Sequence, residues 1–150
     1  MPTNSVTREQ VVAEARTWLN TPFQHQGRIK GRGVDCIGFP WGVAKELDLL
    51  PNIDLDSPRV KPYLGYGKAP IPSKFLGALN EHLVQVELSE VLIADLILFR
   101  GKLYPNHLAI VTDYGIIHSS AERGKVVEHR MDDKLKSKRL CAFRFPLFVE

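Results

Sequence analysis

Two cysteines and five histidines are the groups through which this chain can do covalent chemistry, and their settings are unequal. Cys36 follows a glycine-bearing approach, Gly27, Gly31 and Gly33, and stands directly after Asp35, a residue type that caps helix N-termini. At a helix start the unpaired backbone N–H groups and the helix dipole favour negative charge. The placement therefore predicts a thiol shifted toward thiolate, the nucleophilic form. A lone cysteine is more often a small buried hydrophobe, so on placement alone a nucleophile and a packed thiol stand level. Cys141, in the apolar run Cys141-Ala142-Phe143-Arg144-Phe145, is expected to be a slow, buried thiol on a core strand.

A cysteine nucleophile needs an imidazole beside it, to take the thiol proton and return it to the leaving amine. His107 opens the predicted strand His107-Leu108-Ala109-Ile110-Val111, which puts its ring at the mouth of a sheet facing the Cys36 helix. His118 lies on the next strand, across the turn Asp113-Tyr114-Gly115, so strand pairing brings the two rings together. A third group of this kind holds the base in one tautomer. Each histidine alone reads as an ordinary surface residue; with Cys36 they form a set. His82 and His129 are expected at the surface. His25 lies on the loop leading into Cys36 and is a candidate substrate contact, as are its neighbours Phe23 and Asp35. No histidine pair has the close spacing of a helix-borne zinc site, so neither a metal nor a cofactor is expected.

The elements that must position these residues follow from pattern. Thr7-Arg8-Glu9-Gln10 has the form of a capping box, and Val11, Val12, Ala15, Trp18 and Leu19 follow at helical spacing, predicting a helix over residues 7–19. Residues 24–33 read as a loop. A second helix is predicted over 36–47, kinked where Pro40 removes an early backbone bond. Prolines 51, 58, 62, 70 and 72 mark residues 51–72 as a surface insertion, and Ser73 is placed to cap a short helix over 74–82. Beyond it the pattern turns to strands at 96–99, 108–111, 116–118, 125–128 and 141–145. Helices first and strands second predict one α+β domain over residues 1–150, N-terminal helices packed on a C-terminal antiparallel sheet.

The 150 residues are enough to close one core without staples, and the two cysteines are too few for a disulfide framework. A formal charge of +3 is too weak to indicate nucleic acid, and the basic run from Lys134 to Arg139 reads as a solvated helix face. No run approaches the length of a membrane span, and the first seven residues lack the marks of a secretory signal, so synthesis in the cytosol without signal-directed export is expected.

Taken in order, Trp18-Leu19-Asn20-Thr21-Pro22-Phe23, His25-Gln26-Gly27, Val34-Asp35-Cys36-Ile37-Gly38, Ala94-Asp95-Leu96-Ile97-Leu98-Phe99, His107-Leu108-Ala109-Ile110-Val111, Ile117-His118 and Ala142-Phe143-Arg144-Phe145-Pro146 resemble the NlpC-type cell-wall peptidases, in particular their phage-encoded branch. The resemblance implies a circularly permuted papain-like fold and hydrolysis of peptidoglycan stem peptides, typically between D-glutamate and diaminopimelate. It assigns Cys36 as nucleophile, His107 as base and His118 as orienting residue. It also implies a place on a phage tail or tail-like particle, with tail hub or tail-tip proteins as partners, which suits the absent export signal. Three positions depart from the family pattern: Ile37 where Ser is frequent, Phe23 where many relatives carry Tyr, and Pro40 inside the nucleophile helix. Two other functions stay open: a tail-assembly protein with vestigial activity, and a cytosolic amidase acting on small peptides.

Overall fold

The computed structural model describes residues 6–50, 79–100 and 107–149. The Pro-rich segment 51–72, the first residues of the helix expected over 74–82, and Pro105-Asn106 lie outside them. Helix α1 (Arg8–Arg16) begins with the expected capping box: Thr7 Oγ1 accepts the Gln10 N–H at 3.1 Å, and Gln10 Oε1 accepts the Thr7 N–H at 2.8 Å. The regular helix ends before Trp18 and Leu19, which continue as turns. A two-stranded ribbon, β1 (Arg28–Ile29) and β2 (Gly33–Val34), stands where a plain loop was expected. Helix α2 (Gly38–Glu46) follows. Its backbone ladder runs on both sides of Pro40, from Phe39 N to Asp35 O and from Trp41 N to Ile37 O, and Pro40 between them has no N–H to donate.

The C-terminal half forms one antiparallel sheet of six strands in the order β3-β8-β4-β5-β6-β7. The strands are β3 (Val84–Val86), β4 (Leu96–Phe99), β5 (His107–Val111), β6 (Ile116–Ser120), β7 (Lys125–His129) and β8 (Arg139–Arg144). The α+β architecture read from the pattern is the one observed. Edge strand β3 has no counterpart among the expected strands. Residues 79–82 are helical, and the basic run is divided between a short helix α3 (Asp133–Lys136) and the start of β8.

Alternation along the strands gives the sheet two buried faces. Leu96, Leu98, Leu108, Ile110, Ile117 and Phe143 pack with Val11, Ala15, Phe39 and Val43 of the two main helices. Ile97, Phe99, Ala109, Ile116 and Ala142 form a smaller cluster on the other face, covered in part by Met131 and Leu135. A buried carboxylate ties helix to sheet: Asp95 accepts from Arg8 Nη1 at 3.0 Å, from Arg144 Nε at 3.0 Å and Nη2 at 2.9 Å, and from the Leu92 N–H at 2.8 Å.

Candidate active site

Cys36 lies in the turn immediately before α2 and is half-buried. Asp35 caps that turn: its Oδ1 accepts the Gly38 N–H at 2.6 Å and the Ile37 N–H at 3.2 Å, while its Oδ2 accepts the Gln26 N–H at 2.9 Å. Arg28 Nη1 donates to Asp35 Oδ1 at 3.2 Å. The Gly27–Gly33 approach and the cysteine turn are thereby held by one side chain.

The sulfur meets the sheet at β5. Strands β5 and β6 pair only through Ile110↔Ile117 and Val111↔Ile116, beside the connecting turn, whereas β6 and β7 pair along five positions. In an antiparallel strand successive N–H groups face opposite neighbours. Because Val111 N–H donates to Asp95 O on the β4 side, the Leu108 N–H faces the β6 side, where the ladder has opened. That Leu108 backbone group is a hydrogen-bond partner of the Cys36 sulfur. The nucleophile candidate therefore arrives from the helix side at the residue following His107.

Register puts three imidazoles on one face. Ile116 pairs with Val111 and with His129, and His118 stands two residues from Ile116, so His107, His118 and His129 all project from the side that carries Ala109 and Ile116. His107 Nε2 lies 2.6 Å from His118 Nδ1, His118 Nε2 lies 2.8 Å from His129 Nε2, and His129 Nδ1 lies 2.8 Å from the Arg130 carbonyl oxygen. Adjacent rings cross edge to face at 84° and 76°. His118, between the other two, is 9% exposed. The sequence placed His107 beside His118. It put His129 at the surface, but His129 is half-buried and bonded to His118, because β7 extends one residue further than expected and brings its ring opposite Ile116.

Burial, and then the neighbouring Asp35 charge, push the Cys36 thiol up to about 12, against the Leu108 and Cys36 backbone groups and the Arg28 charge, which act to lower it. This corrects the expectation of a thiolate at a helix start: the turn's amides are present, but their donors are shared with a carboxylate and the sulfur has lost water. Burial, and then the His129 charge, lower His107 to about 4. Burial lowers His118 to about 2, with His107, His129 and Arg123 adding repulsion. Near neutral pH Cys36 rests as a thiol and His107 and His118 rest uncharged, a state suited to general-base activation rather than to a standing ion pair. Burial also raises Cys141.

Of the candidate substrate contacts, His25 is exposed on its loop and Phe23 is half-buried, its N–H held by Gly124 O at 2.8 Å. Asp35 is 3% exposed and all its donors come from within the chain, so it holds the turn rather than offering a surface. A groove of about 430 Å³ is lined by Gln24, Gln26, Arg28, Ile29 and Arg32 on the segment before Cys36. Among the described residues no group of three or more His, Cys, Asp or Glu side chains is placed to hold a metal ion, and no helix is long and apolar enough to cross a membrane.

The α+β architecture, two main helices on a six-stranded antiparallel sheet, is the papain-like fold seen in NlpC/P60 domains. No protein-family model and no curated protein matches the chain. Among solved structures it is similar to the NlpC/p60 domain of the peptidoglycan hydrolase SagA, with a TM-score of 0.62 and 21% identity over 93% of this chain and 99% of that one. It is also similar to an NlpC/P60 family protein from Bacillus cereus, with a TM-score of 0.64 and 21% identity, spanning 40% of that longer chain. The P60 domain of an antigen from M. avium subspecies paratuberculosis gives 0.56 and 16% identity, over 95% of this chain and 96% of that one. The likeness is one of fold.

Proposed function

We propose that the protein is a cysteine peptidase that hydrolyses amide bonds in peptidoglycan stem peptides, with D-glutamyl–diaminopimelate as the bond cut. The observation that carries this reading is the 2.6 Å contact between His107 Nε2 and His118 Nδ1, on the strand whose Leu108 backbone meets the Cys36 sulfur. The similarity in fold to a peptidoglycan hydrolase domain supports the substrate class. Arg28 and Arg32 in the groove before Cys36 suit a substrate rich in carboxylates.

In the proposed reaction His107 takes the thiol proton as the Cys36 sulfur attacks the amide carbonyl carbon. The oxyanion is held by backbone N–H donors, including that of Cys36. Collapse breaks the C–N bond, and the departing nitrogen receives the proton from His107. Water then attacks the thioester, its proton passing to His107 and on to the released sulfur. His118 holds the base ring, Asp35 holds the turn, and His25 and Phe23 border the approach.

We place this activity on a phage tail or tail-like particle, docked to tail hub or tail-tip proteins and opening the wall during genome delivery. The reading rests on the resemblance of the ordered motifs to the phage-encoded branch. Purified protein incubated with stem peptides is expected to release fragments beginning at diaminopimelate, and Cys36→Ala to release none. Intact stem peptides with both proteins would overturn the peptidase reading and favour a tail-assembly role. Finding the protein in host cytosol and absent from purified particles would overturn the tail assignment.

A further inference from the structure

The three-histidine chain ends on a group that can only accept. We propose that His129, backed by the Arg130 carbonyl, is a positioning residue that sets the tautomer of His107 through His118. The consequence for turnover rests on the peptidase reading; the tautomer assignment rests on the three contacts with all three rings uncharged.

A carbonyl oxygen has no proton to give, so at 2.8 Å His129 Nδ1 must carry the hydrogen. A neutral ring then has its lone pair on Nε2, and the 2.8 Å contact there requires the proton to be on His118 Nε2. His118 in turn has its lone pair on Nδ1, and the 2.6 Å contact requires His107 Nε2–H to donate. With three neutral rings, one placement of hydrogens satisfies all three contacts. It leaves the lone pair of His107 on Nδ1, the one nitrogen of the three rings not engaged in the chain, which in the peptidase reading takes the thiol proton. Burial favours the uncharged forms of His107 and His118; with His129 protonated on both nitrogens the same contacts would run in the opposite direction.

Without His129 the His107–His118 contact is satisfied equally well by the opposite polarity. In that form His118 Nδ1–H donates to His107 Nε2, the proton of His107 sits on Nδ1, and the ring cannot accept from sulfur. The fourth residue is thus what makes the pair a base in one direction. It also provides an outlet for charge. As Nδ1 of His107 gains the thiol proton, Nε2–H can move to His118 and His118 Nε2–H to His129. One proton shifts across each contact, and the positive charge ends on the half-exposed ring. The groups facing this chain are Arg123 toward His118 and the Phe99 ring, 6.5 Å from that of His107.

The test is the set of imidazole nitrogen shifts in isotope-labelled protein near neutral pH, read beside Cys36 alkylation and turnover. Wild type is expected to show pyridine-type Nδ1 on His107 and His118 and pyridine-type Nε2 on His129. In His129→Leu the His107 signals should move toward the average of two tautomers. Turnover should then fall by about tenfold or more, in kcat rather than KM. His129→Gln, whose side-chain oxygen can accept from His118 Nε2–H and whose amide can donate to the Arg130 carbonyl, should restore the His107 shifts and raise turnover above that of the Leu variant. A wild-type His107 protonated on Nδ1, or unchanged His107 shifts in the Leu variant, would overturn the proposal. If the Leu variant does not fold, the wild-type and Gln spectra decide. Failure of the peptidase reading would show separately, as wild-type protein with this tautomer pattern and no turnover.

Discussion

Asp35 Oδ1 accepts the Gly38 N–H at 2.6 Å, so the carboxylate that starts α2 is also the charge that stands beside the Cys36 sulfur and opposes its ionisation. Replacing the charge while keeping the acceptor separates the two effects. In Asp35→Asn the amide oxygen still caps Ile37 and Gly38, the Gln26 N–H loses its acceptor, and with the Asp35 charge gone the Arg28 charge acts more fully on the thiol, so the Cys36 pKa should fall. Iodoacetamide labelling of Cys36 at a mildly alkaline pH should speed up several-fold over wild type. Asp35→Ala should instead lose the cap, at a cost of about 1 kcal/mol or more, and show a lower midpoint in urea. Equal labelling rates in wild type and the Asn variant would show that Asp35 has no hold on the thiol.

His107 and His118 both titrate below the ordinary value of 6.5, to about 4 and about 2. As pH falls the unfolded chain binds these protons before the folded one does. Stability present above pH 6.5 is therefore lost progressively toward 4 through His107 and further toward 2 through His118. At pH 5 the loss should be about 2 kcal/mol per ring. Urea midpoints between pH 7 and 5 should show the fall. In His118→Gln the slope should be roughly halved, because one of the two titrating rings is gone; an unchanged slope would show that the acid sensitivity comes from elsewhere.

The hairpin that unites His107 and His118 is legible because its signals are local: two short apolar runs and a turn at Asp113-Tyr114-Gly115. The α1 capping box is legible for the same reason. The β1–β2 ribbon is not, since strands of two residues have no period to detect, and β3 is short and largely exposed. His129 carries a signal in its spacing. The three bonded histidines recur eleven residues apart, the interval that returns a side chain to the same sheet face after one tight turn. The raised Cys36 pKa has no sequence signature, because burial of the sulfur comes from strands more than sixty residues away.

Asp95 tests how far the helix layer and sheet depend on one group. Its side chain is fully buried and satisfied by Arg8, Arg144 and the Leu92 N–H, so neutralising it strands two guanidinium groups at a partly buried site. Asp95→Asn should cost about 3 to 5 kcal/mol and lower Tm by roughly 10 °C. Imidazole contacts across β5, β6 and β7 should survive in the protein that remains folded, which histidine side-chain spectra would report. A Tm within 2 °C or so of wild type would mean that the arginines find replacement partners.

Gly38 and Gly31 separate damage to the site from damage to the chain. A Cβ at Gly38 would clash with the Gly27 carbonyl oxygen, which is backbone and cannot rotate away, and would lie 3.1 Å from Asp35 Oδ1. Gly38→Ala must therefore push the cysteine turn and the Gly27 segment apart, disturbing the Asp35 cap and the approach of sulfur to Leu108. A Cβ at Gly31 meets nothing within 4 Å, but its φ of +80° is a left-handed conformation that costs an L residue about 1 to 2 kcal/mol. Gly31→Ala should lose stability with little change in kcat. Gly38→Ala should lose kcat and the normal Cys36 labelling rate out of proportion to its fall in Tm. The comparison is made by melting both variants and assaying both on the same stem peptide. A Gly38→Ala protein with wild-type kcat would mean that the turn carrying Cys36 tolerates displacement, and that its close packing against Gly27 serves stability alone.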